Sequence, residues 1–380
     1  MTLEMASPAH PAPLQRALQL AHQALWLTSP NPRVGCVITQ PDGTLLGEGH
    51  TQRAGGPHAE IMALRDAAQR GHSVQGATAW VTLEPCAHQG RTGPCCDALA
   101  AAGIARVVTA ITDPNPQVAG QGLQRLAAAG VQTETLDPAH PSAIQARELN
   151  IGFMSRMERG CPWTRMKVAT SLDGQSALEN GQSQWITSPE ARTDGHVWRA
   201  RACAILTGIG TVLEDDPQLN VRGFDVPRQP HLVVVDSRLD MPLNARLLKT
   251  LGEGEQARQI WVYTATDTQA EKRAALQAMG VTVINMPGPG GKVDLAAMLR
   301  DLARREINEL HIEAGHKLNG SFIRAGLVDE VVLYLAPQLL GPGQSMANLP
   351  SLTSLSDAVK LAFHSVDRIG PDLRLILRRA

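Results

Sequence analysis

Three side chains suited to holding one soft metal ion stand in short, proline-marked motifs: Pro57-His58-Ala59-Glu60, Glu84-Pro85-Cys86 and Pro94-Cys95. One imidazole and two thiolates make the three-donor set of a catalytic zinc, which keeps its fourth position open for water. A structural zinc would take a fourth protein ligand. Cys96 and His88 are the nominal candidates, but adjacent Cys95 and Cys96 do not easily reach one ion. Pro57 and Pro94 suit the first turns of helices begun by His58 and Cys95. A thiolate at a helix N-terminus is stabilised by the amide dipoles, which favours Cys95 as a ligand. Glu60, two residues beyond His58, is placed to face the open position without binding the metal. Zinc lowers the pKa of bound water to about 7, and a nearby carboxylate then ferries its proton to a leaving group. Singly, a His-x-Glu pair is surface chemistry and two cysteines are buried hydrophobes. Jointly, with both prolines and an apolar strand ahead of Cys86, they read as a catalytic metal centre.

Converging donors need strand ends and helix starts. Leu14, Leu18, Ala21 and Leu25 recur at helical spacing over residues 14–27. Short apolar runs at Val34–Thr39, Ala77–Leu83 and Ile104–Ile111 predict strands, and Ala-rich stretches around 58–70, 95–102 and 121–129 predict helices. A helix is expected near 142–157, and the Gly160-Cys161-Pro162 break starts a second unit. That unit alternates in the same way, with strands expected at Thr164–Ala169, Ala204–Leu206, His231–Val235, Gln259–Tyr263, Val281–Ile284, Glu309–Glu313 and Val331–Leu335. Alternating strands and helices predict α/β sheets covered by helices. Domains are drawn at residues 1–150 and 151–380, two being the expectation for a chain of 380 residues. No internal repeat joins them.

Hydrophobic content of 43% and charged content of 19% describe a globular protein. A formal charge of −1, from 35 basic and 36 acidic residues, gives no footing for a nucleic-acid partner. No apolar run approaches a membrane span, and the first residues lack a signal peptide's basic and apolar blocks, so a cytoplasmic location and no membrane partner are expected. In a reducing compartment the cysteines, Cys36, Cys86, Cys95, Cys96, Cys161 and Cys203, read as ligands or buried thiols before they read as bridges.

The order His-x-Glu, then Pro-Cys, then Cys is the signature of zinc deaminases, here with a longer gap between the cysteines. The run Pro85-Cys86-Ala87-His88-Gln89-Gly90-Arg91-Thr92-Gly93-Pro94-Cys95 resembles the wide-gap version found in riboflavin-biosynthesis deaminases. Ser29-Pro30-Asn31-Pro32-Arg33-Val34-Gly35 and Gly47-Glu48-Gly49-His50 match the same family. So do Lys167-Val168-Ala169-Thr170-Ser171-Leu172-Asp173-Gly174, Ser183-Gln184-Trp185-Ile186-Thr187, Thr211-Val212-Leu213-Glu214-Asp215-Asp216-Pro217 and Glu313-Ala314-Gly315. Over its whole length the chain is similar to the bifunctional diaminohydroxyphosphoribosylaminopyrimidine deaminases / 5-amino-6-(5-phosphoribosylamino)uracil reductases. One departure is Gly93, where the family carries the first proline of a Pro-Pro pair.

The resemblance implies a cytidine-deaminase-like α/β/α domain followed by a dihydrofolate-reductase-like α/β domain, with one Zn2+ per chain and NADPH as cofactors. The first domain would deaminate a phosphorylated ribosylaminopyrimidine; the second would reduce its ribosyl group to ribityl. By matched position, Asn31, His50, His88 and Arg91 would line the deaminase pocket. Asn31 can pair with a pyrimidine edge and Arg91 with a phosphate, although Asn31 within Pro-Asn-Pro also suits a plain turn. Ala169, Trp185, Thr211, Asp215, Ser237 and the stretch Gly315, His316, Lys317, Leu318, Asn319, Gly320, Ser321 would contact NADPH. Lys167, Ser183, Arg199, Leu219, Arg222 and Glu313 would meet the substrate, Lys167 or Asp215 assisting proton transfer.

On its own terms the second half says less. Gly208-Ile209-Gly210 is followed by Leu213 where a third glycine would complete a Rossmann fingerprint, so that fold is not expected. The 315–321 stretch follows a strand and precedes a helix, a place where amides can cradle a pyrophosphate. Trp185 reads equally as a core aromatic, and Arg199, near Arg192 and Arg201, as a solvated helix face. Rival functions are a nucleobase or tRNA deaminase with an unrelated partner domain, or a binding module with structural zinc. Both leave the second-half motifs unexplained. A homo-oligomer, dimer or tetramer, is expected.

Overall fold

Short apolar runs and amphipathic stretches resolve, in a computed structural model that describes residues 12–87, 93–115, 118–251 and 257–380, into two compact units, Met1–Gly160 and Cys161–Ala380. The first unit runs α1 (Ala12–Gln23), β1 (Gly35–Thr39), β2 (Leu45–His50), α2 (Ala59–Gln69), β3 (Thr78–Val81), α3 (Cys95–Ala101), β4 (Arg106–Thr109), α4 (Gln121–Ala128), β5 (Gln132–Thr135), α5 (Pro141–Leu149) and α6 (Ile151–Arg159). Its sheet has the order β2-β1-β3-β4-β5, antiparallel at β2-β1-β3 and parallel at β3-β4-β5. Leu14, Ile38, Leu46, Leu99 and Leu126 are all but inaccessible between that sheet and its helices. Gly35 lets α1 lie on the sheet, since a Cβ there would sit 1.9 Å from the Ala17 carbonyl oxygen.

The single helix expected near 142–157 is two, broken at Asn150. The Asn150 side chain accepts from the Arg33 N–H at 2.7 Å and donates to the Arg33 carbonyl at 2.9 Å. That pairing bends the chain and ties the junction to the entry of β1. Phe153 and Met154 of α6 are buried in the first core, so α6 folds with the first unit.

The second unit runs β6 (Trp163–Ser171), β7 (Gln175–Leu178), α7 (Pro189–Arg201), β8 (Ala204–Gly208), α8 (Ile209–Asp215), β9 (His231–Val235), β10 (Ile260–Thr264), α9 (Ala270–Ala278), β11 (Thr282–Asn285), α10 (Leu295–Arg304), β12 (Glu309–Ile312), α11 (His316–Arg324), β13 (Glu330–Ala336), β14 (Gly343–Ser345), β15 (Leu361–Ile369) and β16 (Asp372–Arg379). The main sheet orders as β11-β10-β9-β8-β12-β6-β13-β16-β15, parallel up to β13 and antiparallel beyond; β7 and β14 form a separate pair. Strands β8, β10 and β12 are buried along their whole length and β9 from Leu232 onward, which parallel strands covered on both faces require.

A polar layer runs through this interior. Arg165 on β6 reaches Glu309 at 2.9 Å and Glu330 at 2.5 Å, all three nearly inaccessible. Arg201 of α7 and Arg378 of β16 complete the network at 2.7 and 2.9 Å.

Candidate active sites

Each metal donor stands at the edge of a regular element. His58 is the N-cap of α2, Cys95 opens α3, and Cys86 lies in the turn beyond β3. The prolines stand just outside the helices, Pro57 before the cap and Pro94 as the cap itself, where a missing N–H costs nothing. His58 Nδ1 lies 3.5 Å from Cys86 Sγ and 3.4 Å from Cys95 Sγ. A tetrahedral zinc with ordinary bond lengths spaces its nitrogen and sulfur donors about 3.6 Å apart. Among the described residues no fourth metal-binding side chain joins these three. Cys96 is buried beside its neighbour Asp97, its thiol pushed up to about 11 by burial and that carboxylate. The donor set and its spacing therefore fit a zinc with an open fourth position.

The helix terminus works differently from the sequence reading. The Cys95 N–H donates to Cys86 Sγ at 3.4 Å, so the α3 amide stabilises Cys86 rather than Cys95. A hydrogen bond with Cys95, then one with His58, hold the Cys86 thiol down to about 4 against the effect of burial. The bond to Cys86, then burial, push the Cys95 thiol up. Glu60, in the first turn of α2, is 3% exposed and within hydrogen-bond reach of Cys95. Burial, then the Cys86 charge, raise its carboxyl to about 7.

Glu84, named in sequence only as part of the Glu84-Pro85-Cys86 motif, has a supporting role at the turn that sequence reasoning missed. Its buried carboxylate accepts backbone N–H groups from Asp113 at 3.1 Å, Gly120 at 3.0 Å, Gly122 at 2.9 Å and Leu123 at 3.3 Å. It thereby caps α4 and ties the Pro85-Cys86 turn to the neighbouring loop. Gly122 is obligatory in that packing, because a Cβ there would sit 1.9 Å from the Pro85 carbonyl oxygen. A glutamate directly before Pro-Cys was the available signal.

The structure places Asn31 half-buried in the turn ahead of β1, its N–H donated to the Thr28 carbonyl at 2.8 Å. His50 ends β2 opposite Gly35, half-buried, with burial lowering its pKa. No described hydrogen bond joins either side chain to the metal donors. His88 and Arg91 lie outside the described residues.

In the second unit, sequence-distant residues do meet. Arg199 of α7 sets Nε and one terminal nitrogen on the Glu313 carboxylate at 2.5 and 2.7 Å, and donates to the Asn220 carbonyl at 3.0 Å. Arg199 is thus an ion-paired group, not a solvated face. His311, fully buried on β12, has Nε2 3.3 Å from Glu313 Oε1, without hydrogen-bond alignment. Burial raises the Glu313 carboxyl, but Arg199 and His311 outweigh it and hold it well below the usual range. Lys167 of β6 sits 5.6 Å from the Tyr334 ring, its pKa lowered by burial although Glu313 opposes this. The Arg222 N–H donates to His196 Nδ1 at 3.1 Å and its side chain to Asn220 Oδ1 at 2.8 Å. Leu219 is buried, with a φ of 48°. Ser183 lies half-buried in the irregular segment before α7. Asp215 ends α8, exposed, and no described interaction joins it to Lys167.

The expected nucleotide contacts fall into separate groups. Two helix starts adjoin: a Cβ added at Gly315 would be 3.9 Å from Thr211 Oγ1, and one at Gly208 would be 3.1 Å from Leu318 Cδ2. The 315–321 stretch is not a loop, because α11 begins at His316 with Gly315 as its cap. Leu318 and Asn319 already donate to the Gly315 carbonyl, so in the first turn the His316 and Lys317 amides are the ones with no described partner. Adjoining amide-rich helix starts fit a pyrophosphate. Ser237 follows β9 and accepts from the Val293 N–H at 3.2 Å. Trp185 is 68% exposed, with Arg192 4.5 Å above its ring, so the core-aromatic reading fails. Ala169 packs beside Ala191, Val332 and Tyr334.

Residues 9–111 match the family model of the cytidine and deoxycytidylate deaminase zinc-binding region, and residues 162–375 that of the RibD C-terminal domain. Fold and site together define a two-domain enzyme in which a cytidine-deaminase-like zinc domain precedes a reductase domain of the RibD C-terminal type. The riboflavin biosynthesis protein RibD of Escherichia coli (strain K12) is 44% identical over 378 residues, 96% of this chain and 98% of that protein. That of Haemophilus influenzae is 40% identical, covering 95% of both. A solved structure of Acinetobacter baumannii RibD aligns with a TM-score of 0.86 at 40% identity, covering 97% of this chain and 98% of that one. A Thermotoga maritima structure described as a diaminohydroxyphosphoribosylaminopyrimidine deaminase/5-amino-6-(5-phosphoribosylamino)uracil reductase aligns at 0.83 and 29% identity, with the same coverage. The chain belongs to the RibD family and is a bifunctional deaminase and reductase of riboflavin biosynthesis.

Proposed function

We propose that the first unit deaminates 2,5-diamino-6-ribosylamino-4(3H)-pyrimidinone 5′-phosphate and that the second reduces the product with NADPH to 5-amino-6-ribitylaminouracil 5′-phosphate. The observation that carries this reading is the triad His58, Cys86 and Cys95, with the buried Glu60 carboxylate beside it. Zinc held by His58, Cys86 and Cys95 would supply a water of lowered pKa. The Glu60 carboxylate would take a proton from water and deliver it to the departing amine, the ring gaining oxygen and losing ammonia. Asn31, His50, His88 and Arg91 orient the pyrimidine and its phosphate.

In the second unit NADPH supplies the hydride, and the protein supplies position and charge. Residues Ala169, Trp185, Thr211, Asp215, Ser237 and 315–321 hold the nucleotide, the adjoining starts of α8 and α11 supporting a pyrophosphate site. Arg199, Arg222 and Glu313, with Ser183 and Leu219, hold the phosphorylated sugar. Lys167, inside the Glu313 and Arg199 cluster, delivers the proton that balances hydride addition; its place there favours it over Asp215. Replacing Lys167 by Met should abolish NADPH oxidation and spare ammonia release, and unchanged NADPH oxidation would remove Lys167 from this role.

The active form is a homo-oligomer, dimer or tetramer. Edge strand β15 supports this, with Phe363 67% and Val366 56% exposed. Light scattering on the purified chain measures it directly. No helix among the described residues is long and apolar enough to cross a membrane. A cytoplasmic location agrees with cysteines kept reduced for zinc.

A further inference from the structure

The segment 216–230 between α8 and β9 has no regular structure, yet it carries two of the groups assigned to the reductase substrate, Leu219 and Arg222. Leucine rarely adopts the left-handed conformation seen at Leu219, with φ of 48°. Something must hold it there.

Arg258, just ahead of β10, is 3% exposed. Its Nε donates to the Pro230 carbonyl at 2.5 Å. One terminal nitrogen donates to the Gln218 carbonyl at 3.3 Å and to Thr250 Oγ1 at 3.0 Å, and the other to the Leu219 carbonyl. The carbonyls of Gln218 and Leu219 flank the backbone dihedrals of Leu219, so one rigid guanidinium grips both sides of the strained residue. Only a planar fork offers donors in that arrangement. Beyond it, the Asn220 carbonyl accepts from Arg199 and the Arg222 N–H donates to His196. The segment is therefore strapped at two adjacent points, by Arg258 below and by α7 above.

Charge agrees with geometry. Arg258 meets only neutral acceptors among the described residues, while burial, then the nearby Arg199, push its pKa down to about 9. It remains a cation at neutral pH. Arg199, Arg222 and Arg258 then outnumber Glu313, with Arg258 buried, Arg199 half-buried and Arg222 exposed, and an excess of positive charge suits a phosphate.

We propose that Arg258 is a positioning residue for the phosphorylated substrate of the reduction step: it locks Leu219 in the left-handed conformation and so sets Asn220 and Arg222 against α7. This rests on the reductase reading above. The acceptors show how the locking fails, since lysine keeps the charge but cannot span both carbonyls.

The test uses the full chain, with the deaminated intermediate made by its own first unit. In Arg258→Lys the KM for that intermediate should rise about tenfold, the scale of lost hydrogen bonds to a charged group. The Ki of inorganic phosphate as a competitive inhibitor should rise in step. The kcat, the KM for NADPH and the rate of ammonia release should stay within about twofold, a split that general loosening of the fold would not produce. Thr250→Val, which removes one acceptor and leaves the fork, should raise the same KM by a smaller factor. Unchanged KM and phosphate Ki in both variants would overturn the proposal, as would equal losses for substrate and NADPH. Wild-type protein that does not oxidise NADPH with the intermediate would instead overturn the underlying reading.

Discussion

His58 Nδ1 stands 3.4 Å from the sulfur of Cys95, the spacing two donors take on one tetrahedral zinc. The helix starts that carry them are 37 residues apart in sequence and share no hydrophobic pattern that demands the approach. The metal supplies the reason, and Glu60 gains its place from the same turn of α2.

Glu60→Gln should therefore separate metal binding from catalysis. The variant is expected to keep one zinc per chain by atomic absorption, while ammonia release falls about 10²- to 10⁴-fold. Cys95→Ser should lose both together. Loss of zinc in Glu60→Gln would make that carboxylate a ligand and not a proton carrier.

Glu84 acts on the centre from beneath. In Glu84→Gln one oxygen becomes a donor facing backbone N–H groups, so two of the four caps lose their acceptor. Chelator competition should show zinc held about 10- to 100-fold more weakly, the usual effect of disturbing residues that orient metal ligands. Equal zinc affinity in the two proteins would reduce Glu84 to a helix cap.

Arg199 and Glu313 form the two-point pair that frames the reductase cluster. Glu313→Gln should raise the substrate KM of the second step and leave ammonia release unchanged, as measured with NADPH saturating. An effect on ammonia release would break the assignment of the two reactions to separate units.

Acid should weaken the second unit through Glu330. Burial raises its carboxyl, but Arg165 and Arg378 outweigh burial and hold it below the ordinary value. A lowered folded-state pKa adds stability above the unfolded value of about 4.3, and that stability is lost as pH falls through the folded value. Melting temperature should drop on acidification below pH 5. Glu330→Gln should be less stable at pH 7, by roughly 3–5 kcal/mol for a broken buried pair, and so melt lower and vary less with acid. A variant with the wild-type slope would place the acid sensitivity elsewhere.

How much of this was legible in sequence follows from where the signal lies. The metal donors sit within local motifs, so His58, Cys86 and Cys95 could be read from types and spacing, and the proposed proton carrier Glu60 from the same helix start. Buried parallel strands such as β9, from Leu232 to Val235, announced themselves as unbroken apolar runs. Strand β5, Gln132–Thr135, is exposed at every residue and offered no pattern. Strand β16 was hidden because Arg374 and Arg378 turn toward ion partners, and β15 because its apolar residues face outward. Roles carried by long-range hydrogen bonds, as at Glu84 and Arg258, leave no periodic trace. Trp185 and Arg199 show the same limit from the other side, since residue type alone could not tell a core ring from an exposed one or a solvated arginine from a paired one.

The most direct measurement follows ammonia release and NADPH oxidation together, with zinc-loaded protein and the diaminopyrimidine ribosyl phosphate. Ammonia should appear first, NADPH should be consumed only afterwards, and Glu60→Ala should abolish both until the deaminated intermediate is supplied. Ammonia without NADPH oxidation would contradict the reading of the second unit, and no ammonia from folded, zinc-replete protein would contradict the central claim.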